Sequence, residues 1–405
     1  MALAYSGNIY YNIRVVIHRG RLMIVRSLKE TLLKAVAKFP SITLYGPRQS
    51  GKTTLVKDCF PDYSYANLEH LGTRELASTD PDAFFRRFPP PVILDEVQRV
   101  PSILSQVQVL IDERRNAMGR FVLTGSHQTK LSETVAQSLA GRTSIYVLYP
   151  PSINELPDVS GLSTDELLLR GFMPELHVRD LDPVEWYRNY VQTYIERDIR
   201  QMINIKDLSR FERFLVLLAG RIGQLLNTSE LAREVGVTTP TISGWISMLE
   251  ASFLVFRLQP WFSNLRKRMV KSTKLYFTEP GLATHLLGLE TPQHVMRDPL
   301  RGNLFENLVV VDAFKQRANA GLAPNLWFMR TDDGFEIDLL HTSGRTIQPI
   351  EVKSAVTWRD ALARNVRALA RDAAESVTAP TVVYDGDDLN LSGGISVRNV
   401  RTFRI

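Results

Sequence analysis

One glycine-rich turn constrains this chain more than any other stretch of its 405 residues. It comes after a short β-type run, Ser41 to Leu44, and reads GPRQSGKTT, which fits the pattern Gly-x-x-x-x-Gly-Lys-Thr. In that pattern backbone N–H groups cradle nucleotide phosphates, and Gly46 and Gly51 allow a tight backbone that side chains would block. We therefore predict a phosphate-binding loop formed by Gly46, Pro47, Arg48, Gln49, Ser50, Gly51, Lys52, Thr53 and Thr54.

Two side chains of this loop have predicted roles of their own. Lys52 would reach the β and γ phosphates, and the hydroxyl of Thr53 would complete a Mg²⁺ shell. The helix that begins near Lys52 would point its positive end at the same anion. An ordinary strand, turn and helix can carry the same letters, so the interpretation depends on polar residues at the ends of later strands.

A second polar cluster comes after an apolar strand. The run Pro91 to Leu94 ends in Asp95 and Glu96. Asp95 is placed to hold Mg²⁺ through water, and Glu96 to take a proton from an attacking water. The next strand ends at Ser126, and parallel strands bring such ends to one edge of a sheet. Ser126 could orient the attacking water or sense the γ phosphate, or it could simply belong to a turn.

Length and composition set broad bounds. At 45.9 kDa the chain is long enough for two to four structural units. The net charge of +6 favours an anionic partner, although the excess becomes persuasive only where it clusters. The single cysteine, Cys59, excludes an internal disulfide framework and a cysteine-rich zinc site. This cysteine content fits a reducing cytoplasm best, and no stretch approaches the ~20 apolar residues of a membrane span.

The order of patterns predicts an α/β fold with further units after it. Short β-type runs alternate with helical patterns after the loop, which predicts a parallel sheet with crossover helices. A mostly helical stretch comes next, and we interpret its aromatic stripe, Trp186 to Ile195, as core packing rather than a ligand box. The predicted units are an N-terminal extension (1–22), a nucleotide-binding α/β domain (23–155), a helical lid or linker (156–205), a winged helix-turn-helix (206–280) and an α/β domain (281–405).

The run Ser138 to Arg142 lies on a predicted helix and precedes the last strand of the first domain. Together with the phosphate loop, Asp95-Glu96 and the strand ending at Ser126, it resembles the AAA-type P-loop ATPases. In that class an arginine finger between the fourth and fifth strands completes a neighbouring subunit's site, and Arg142 matches this position. The resemblance implies ATP and Mg²⁺ as cofactors and a homo-oligomer such as a ring. The alternative is a surface arginine near a helix C-terminus.

More narrowly, the chain from about residue 23 to 355 resembles a bacterial and archaeal family of AAA-type ATPases with a C-terminal domain of unknown function. The resemblance rests on five short runs: Gly46 to Gln49, Asp95 to Gln98, Leu139 to Arg142, Glu196 to Ile199, and Glu351 to Lys353. Arg197 and Asp198 belong to this pattern, and a structural ion pair is the simplest role for them.

Two predicted helices with a short turn, Thr228 to Ala251, have the layout of a helix-turn-helix. Thr239 is the predicted N-cap of the second helix. Thr238, Thr241 and Ser243 are small polar groups suited to contact phosphates or base edges of DNA. A basic cluster lies in the predicted wing, and next to a winged helix it is the expected footprint of phosphate binding. A packing module with a solvated lysine-rich turn would look the same. The wing residues are Arg266, Lys267, Arg268, Lys271 and Lys274.

The last domain contains a predicted hairpin with its turn at Gly344-Arg345. A symmetric hairpin puts Asp338 opposite Glu351 and Glu336 opposite Lys353, all on one face, with Ile337, Ile350 and Val352 on the other. Two opposed carboxylates repel, and a divalent metal is the usual relief. Pro349 lies within the second predicted strand, and a proline there can mark a bulge or a sheet edge that changes the predicted register.

Asp338, Glu351 and Lys353, with Glu306 on the preceding helix, resemble the signature of restriction-endonuclease-like folds. The resemblance implies carboxylates that bind Mg²⁺ and a lysine that activates water. Paired surface carboxylates with a lysine would be equally adequate without any cleavage.

These features predict a Mg²⁺-dependent ATPase that acts on DNA. The alternatives are a nucleotide-dependent switch in signalling or defence, with protein partners and a non-cleaving C-terminal domain, or phosphoryl transfer to a small substrate. A phosphate loop alone does not distinguish kinase from hydrolase.

Overall fold

A computed structural model describes residues 15–18, 21–126, 138–157, 159–179, 181–199, 207–261, 270–391 and 394–405, with backbone only for 15–18, 21–22 and 196–199. A short antiparallel strand pair, β1 (Val15–His18) and β2 (Arg21–Ile24), precedes the first domain. Within the described residues no helix is long and apolar enough to cross a membrane.

The first domain is built on a five-stranded parallel sheet with the order β4-β5-β6-β3-β7. Its strands are β3 (Ser41–Tyr45), β4 (Ser64–Asn67), β5 (Val92–Asp95), β6 (Phe121–Gly125) and β7 (Thr143–Val147). Its helices are α1 (Leu28–Val36), α2 (Lys52–Cys59), α3 (Leu71–Thr79), α4 (Pro81–Arg87) and α5 (Ile103–Glu113).

This sheet confirms the predicted strand and helix alternation. Strands β3, β5 and β6 are buried along their whole length, as expected of strands covered on both faces. Two apolar clusters flank the sheet: one packs on α1 and α2, and the other on α4 and α5. Because all five strands are parallel, the phosphate loop after β3 and the polar ends of β5 and β6 lie at one edge.

A helical region comes next, with α6 (Thr164–Arg170), α7 (Pro174–Val178), α8 (Pro183–Tyr190) and a π-helix, Val191–Ile199. The predicted role of its aromatic stripe is confirmed, because Trp186, Tyr187, Tyr190, Tyr194 and Ile195 are all buried in one apolar cluster.

Three helices and a strand pair continue the chain: α9 (Leu208–Ala219), α10 (Thr228–Val235), α11 (Thr239–Ala251), β8 (Val255–Leu258) and β9 (Lys274–Phe277). The strands are antiparallel, with Val255 opposite Phe277. The cap of α11 is Thr238 rather than the predicted Thr239, since its side chain accepts the N–H of Thr241. With Thr238 as cap, Pro240 lies at a position whose N–H needs no intrahelical partner.

The final section contains helices α12 (Pro280–Leu286), α13 (Pro292–Arg297), α14 (Arg301–Asn319) and α15 (Arg364–Asp372). Its six-stranded mixed sheet has the order β10-β11-β12-β13-β15-β14. The strands are β10 (Leu326–Arg330), β11 (Glu336–Ser343), β12 (Thr346–Lys353), β13 (Thr381–Tyr384), β14 (Leu389–Asn390) and β15 (Ser396–Asn399).

The predicted hairpin register is confirmed from Leu339, opposite Ile350, to Ser343, opposite Thr346. The predicted sharing of faces is wrong. Ile337 packs with the α15 side of the sheet, whereas Ile350 and Val352 pack in the cluster that contains α14. The reason is a bulge where β11 meets β10, which breaks the alternation of β11 next to Asp338 and re-aims the side chains before it.

Helix α14 is the central element of the second half of the molecule. It is buried on most of its circumference, and its apolar residues share one cluster with the helical region, α9 to α11 and the β12 face of the last sheet. A helix buried on most of its sides must be surrounded by other parts of the protein. The units beyond the first domain therefore share a continuous core.

Candidate functional site

The phosphate loop adopts the tight conformation that its two glycines were expected to allow. Gly46 and Gly51 have φ of 152° and 92°, and a Cβ on Gly46 would lie 2.2 Å from the carbonyl oxygen of Leu148. Gln49 also has a positive φ of 62°. The Ser50 hydroxyl donates to the Pro47 carbonyl at 3.0 Å, which closes the loop on itself. Helix α2 begins directly after it.

Lys52 is buried at the base of this loop. Its ammonium donates to the carbonyl oxygens of Gly46 and Pro47 at 2.9 and 2.8 Å. Burial lowers the pKa of Lys52 to about 8, while the carboxylates of Glu96 and Asp95 act in the opposite direction. A phosphate group at the loop would add negative charge next to the ammonium and favour its charged form.

Asp95 is held at the end of β5 by three hydroxyl groups. Thr53 and Tyr65 donate to its Oδ2 at 2.9 and 2.6 Å, and Thr124 donates to its Oδ1. Only 3% of Asp95 is exposed. The sequence assigned Thr53 and Asp95 to one Mg²⁺ site without predicting their contact, and it missed Tyr65, which is on the neighbouring strand β4. These hard oxygen donors match the preference of Mg²⁺.

Glu96 comes directly after Asp95 in a left-handed conformation, with φ of 59°. Its N–H donates to the Thr124 hydroxyl at 3.1 Å, and its carboxylate accepts bonds from Gln98 and from the Ser126 hydroxyl, the latter at 2.7 Å. Ser126 is 1% exposed. The two strand-end motifs that the sequence placed at one edge are thus in direct contact.

A cleft of about 370 Å³ opens beside these groups, within the size range of small-molecule sites. Its lining residues are Arg48, Gln49, Gly51, Lys52, Thr53, Thr54, Glu69, Glu96, Ser126, Pro174 and Glu175. Pro174 and Glu175 come from α7, which sequence reasoning did not connect with the loop. The guanidinium of Arg48 lies 5.5 Å from the ring centre of Tyr194 on the π-helix. The helical region therefore forms one wall of the site.

A second, mostly apolar cavity of about 150 Å³ adjoins the loop and was also missed. Met23 and Ile24 before α1, Leu55 on α2, and Val178 on α7 supply its apolar walls, and Asp58 lies among its polar lining. Only tertiary packing brings these segments together, and no motif marks them in the sequence.

Arg142 lies at the opposite end of the sheet from the loop. It precedes β7, and its carbonyl accepts the N–H of Ser41 at the start of β3. Its guanidinium forms a bidentate pair with Asp112 of α5, at 3.0 and 2.9 Å. Residues 139–142 form a bend and turn rather than the predicted helix, because Gly141 has a φ of 72°. A five-residue strand spans about 16 Å, so Arg142 is remote from the loop of its own chain.

Lys274 does not fit the predicted DNA-binding role. It is 2% exposed, and its ammonium lies 2.9 Å from Glu306 on α14 and 2.6 Å from Glu336 on β11. Burial alone would lower the pKa of Lys274, but Glu306, Glu336 and Asp338 raise it above its usual value. A lysine paired in this way cannot also contact phosphates, so the prediction for Lys274 is wrong.

Four carboxylates that the sequence analysis singled out in the last domain, Glu306, Glu336, Asp338 and Glu351, pair with two lysines. Lys353 lies 2.7 Å from Glu351 and 3.4 Å from Asp338, while Lys274 takes Glu306 and Glu336. The Asp338 carboxylate also accepts the N–H of Val352 at 2.8 Å, beyond the point where the regular pairing of β11 with β12 ends. Burial and the nearby Asp338 raise the pKa of Glu306 to about 7 and that of Glu351 to about 8.

These positions differ from the predicted metal set. Among the described residues, no group of three or more histidine, cysteine, aspartate or glutamate side chains is arranged to hold a metal ion. Asp338 and Glu351 are brought together as predicted, but the ammonium of Lys353 lies 3.4 and 2.7 Å from them. Glu306, Glu336 and Asp338 line an open cleft of about 490 Å³, and the ammonium of Lys274 pairs with the first two.

The other predicted nucleic-acid contacts are only partly described. Ser243 is exposed and Thr241 half-buried on the first turns of α11, and Lys271 is exposed before β9. Arg266, Lys267 and Arg268 lie outside the described residues, as do the side chains of Arg197 and Asp198.

Comparison with known proteins identifies the family. Two proteins, from Mycobacterium tuberculosis and Mycobacterium bovis, are each 31% identical over 369 residues, which is 89% of this chain and 80% of theirs. This chain belongs to their family. Both relatives are described only as uncharacterized proteins. A Haemophilus influenzae protein is 22% identical over 248 residues, covering 54% of this chain and 60% of that protein.

Three domain families match successive parts of the chain. Residues 38–157 match an AAA domain, residues 162–293 a domain of unknown function (DUF8612), and residues 301–402 a domain of unknown function (DUF4143). The AAA match covers the parallel sheet, the phosphate loop, Asp95 and Glu96. The first domain is therefore an AAA-type α/β domain with a P-loop, as predicted.

Solved structures resemble the chain more distantly. A Walker-type ATPase of Pyrococcus abyssi matches 67% of this chain and 96% of its own, with 15% identity and a TM-score of 0.40. A Thermotoga maritima RuvB variant matches 57% of this chain and 86% of its own, with 19% identity and a TM-score of 0.30.

Proposed function

We propose that this protein is a Mg²⁺-dependent ATPase. The observation that carries the proposal is the joint placement of the phosphate loop, Thr53 with Asp95, and Glu96 with Ser126 around one cleft. A kinase or a plain nucleotide-binding protein also needs the phosphate loop. Hydrolysis needs in addition a group that activates water, and Glu96, which follows Asp95 and lines the cleft, is suited to that role.

In this proposal the chain's own groups position the nucleotide and the attacking water. The loop N–H groups and Lys52 hold the phosphates, and Thr53 and Asp95 hold Mg²⁺, which when bound neutralises charge on the phosphates. Glu96, oriented by Ser126, accepts the proton of the attacking water. The mostly apolar cavity of about 150 Å³ beside Leu55 and Ile24 would receive the nucleobase.

Substitution of Glu96 tests this proposal. We expect Glu96→Gln to keep nucleotide binding but to lower kcat for phosphate release by about 100-fold or more, since a general base typically contributes that much. Glu69→Gln is a matched control, because Glu69 lines the same cleft at its exposed rim. Near wild-type turnover by Glu96→Gln would exclude Glu96 as the base. A wild-type chain that releases no phosphate without an acceptor would exclude hydrolysis itself.

We further propose that the ATPase acts on DNA. The helices α9 to α11 with β8 and β9 have the order expected of a winged helix, and α11 exposes Ser243 near its N-terminus. With Lys274 excluded, the proposed surface combines Thr241 and Ser243 of α11 with the remaining wing residues Arg266, Lys267, Arg268 and Lys271.

Neutralising the wing tests DNA binding. We expect the triple change of Arg266, Lys267 and Arg268 to glutamine to weaken binding of a fluorescent duplex or branched DNA by about tenfold and to flatten its salt dependence. Arg86, Arg87 and Arg114, exposed on the first domain, provide a control triple change of equal charge. Equal binding by both triple variants would contradict the wing as the contact surface.

A second candidate function is a nucleotide-dependent switch whose last domain does not cleave. The specific observation in its favour is the position of Lys274. Its ammonium pairs with Glu306, a member of the predicted metal set, and with Glu336 on β11, the strand that carries Asp338. We infer that the last domain has a restriction-endonuclease-like layout in which internal cations replace the metal.

A further inference from the structure

Arg26 contacts three separate segments from a nearly buried position just before α1. Its guanidinium donates to the carbonyl oxygens of Ser50 and Tyr149 at 2.9 and 2.6 Å, and to the carboxylate of Glu155 at 3.3 Å. Only 7% of Arg26 is exposed. A planar guanidinium can serve three acceptors at fixed angles, whereas a lysine ammonium on a flexible stem cannot reproduce that geometry.

The contact with Ser50 acts on the phosphate loop. In a trans peptide the C=O and the following N–H point in opposite directions. Holding the Ser50 carbonyl on the Arg26 side therefore fixes the direction of the Gly51 N–H, one of the donors of the predicted phosphate cradle.

The contact with Glu155 continues the connection away from the loop. Glu155 is 1% exposed and accepts the N–H groups of Ser27 and Ser152 at 2.6 and 2.8 Å. It also accepts the side-chain amide of Asn319 at 3.0 Å. Burial alone would raise the pKa of Glu155, but Arg26 and these hydrogen bonds outweigh it and lower the pKa, so the group stays ionised.

Asn319 is the last residue of α14, and two more side chains of that helix contact the same segment. Asp312 accepts the N–H of Ile153 at 2.6 Å, and Lys315 donates to the carbonyl of Pro151 at 3.2 Å. The earlier part of α14 contacts the strand pair of the middle region, where Asn307 accepts the N–H of Phe277 at 2.8 Å. One rigid helix thus connects the segment 151–155 with the units beyond the first domain.

We propose that Arg26 is a positioning residue for the phosphate loop and that, through Glu155, it couples nucleotide binding to the docking of α14. The inference rests on the proposed ATPase function. Because the same guanidinium holds the loop and the carboxylate that anchors Asn319, a loop conformation that favours nucleotide also favours the docked helix. By linkage, loosening the helix weakens nucleotide binding by the same factor.

Three variants of the full chain test this coupling. Arg26→Lys keeps the charge but loses the planar guanidinium that serves three acceptors at once. We expect KM for ATP to rise about tenfold or more. Asn319→Ala leaves Arg26 and the loop untouched, and we expect KM to rise about two- to tenfold with kcat little changed. Arg301→Gln is the matched control: Arg301 begins the same helix and pairs with Asp165 and Asp385, but it does not contact residues 149–155.

Hydrogen exchange gives a readout that a merely structural role would not change. In the wild type and in Arg301→Gln, ATP analogue should increase protection of the amides of residues 151–155 and 312–320. In Arg26→Lys and Asn319→Ala this nucleotide-dependent protection should be lost. Asn319→Ala with wild-type KM and wild-type protection would overturn the coupling even if Arg26→Lys did not fold. A wild-type chain that neither binds nor hydrolyses ATP would instead overturn the proposed function.

Discussion

At the level of single residues, the proposed ATP site is built from carboxylates that uncharged hydrogen-bond donors hold in place. Asp95 accepts hydrogen bonds from three hydroxyl groups. Glu96 has a left-handed backbone conformation, and hydrogen bonds from its amide to Thr124 and from Ser126 to its carboxylate hold it there. Such a backbone in a non-glycine residue costs about 1–3 kcal/mol and persists only where its surroundings enforce it. The position of Glu96 is thus a property of two neighbouring strands.

Arg142 is a single residue whose role can be tested directly. If Arg142 acts in a neighbouring subunit, Arg142→Ala should lower the ATPase rate by about 1,000-fold at concentrations where the protein assembles. The reason is that an arginine finger stabilises the negative charge of the transition state. Asp112→Asn should keep full activity, since it releases the guanidinium from its present partner. The measurement is ATPase rate against protein concentration. Full activity of Arg142→Ala above the assembly concentration would contradict the finger.

Among the elements, β9 links the middle region to the last sheet. Lys274, its first residue, contributes an ammonium to carboxylates of α14 and β11. The bulge in β11 separates Glu336 from the face that carries Glu351 and Lys353, which creates two charge clusters where a regular strand would make one. The elements have the predicted order, but their charged faces do not match the prediction.

Removal of Lys274 should therefore be costly. We expect Lys274→Met to lower the free energy of unfolding by about 3 kcal/mol, since it leaves the half-buried carboxylates of Glu306 and Glu336 without their shared cation. Lys271→Met, at an exposed site three residues earlier, should change it by less than about 0.5 kcal/mol. Urea unfolding followed by fluorescence gives both values. A wild-type chain that Mn²⁺ stabilises, with the effect lost in Asp338→Asn, would contradict an internal ion cluster and favour a metal site.

Across the whole molecule, the boundaries between units are unequal. The two apolar clusters of the first domain come mostly from that domain, with Phe253 and Phe314 packing into one of them. In contrast, α14 shares one large cluster with residues from α6 to one face of the last sheet. The boundary of the domain family that begins at residue 301 falls at the start of α14, so it divides a continuous core.

This shared core predicts how the chain unfolds. All five tryptophans lie after residue 185, so tryptophan fluorescence reports only the regions beyond the first domain. We expect a single fluorescence transition in urea, because the helical region and the last sheet lose the same core together. A fragment of residues 301–405 should expose apolar surface and bind a hydrophobic dye. Two separate fluorescence transitions, or a stable fragment that does not bind dye, would contradict the shared core.

The sequence alone determined the phosphate loop, the strand ends at Asp95 and Ser126, the order of most elements and the hairpin turn at Gly344-Arg345. These features depend on local backbone preferences and on periodicity, which neighbouring residues encode.

The tertiary structure decided which distant groups meet. Arg26 and Glu155 are 129 positions apart, and no local pattern marks them as partners. Lys274 resembles one more wing cation in the sequence, but packing buries it among carboxylates, and a bulge re-aims the start of β11. A charged side chain is recognisable from sequence, but its partner depends on how the chain closes in space. For that reason the phosphate loop was predictable and the residues that hold it were not.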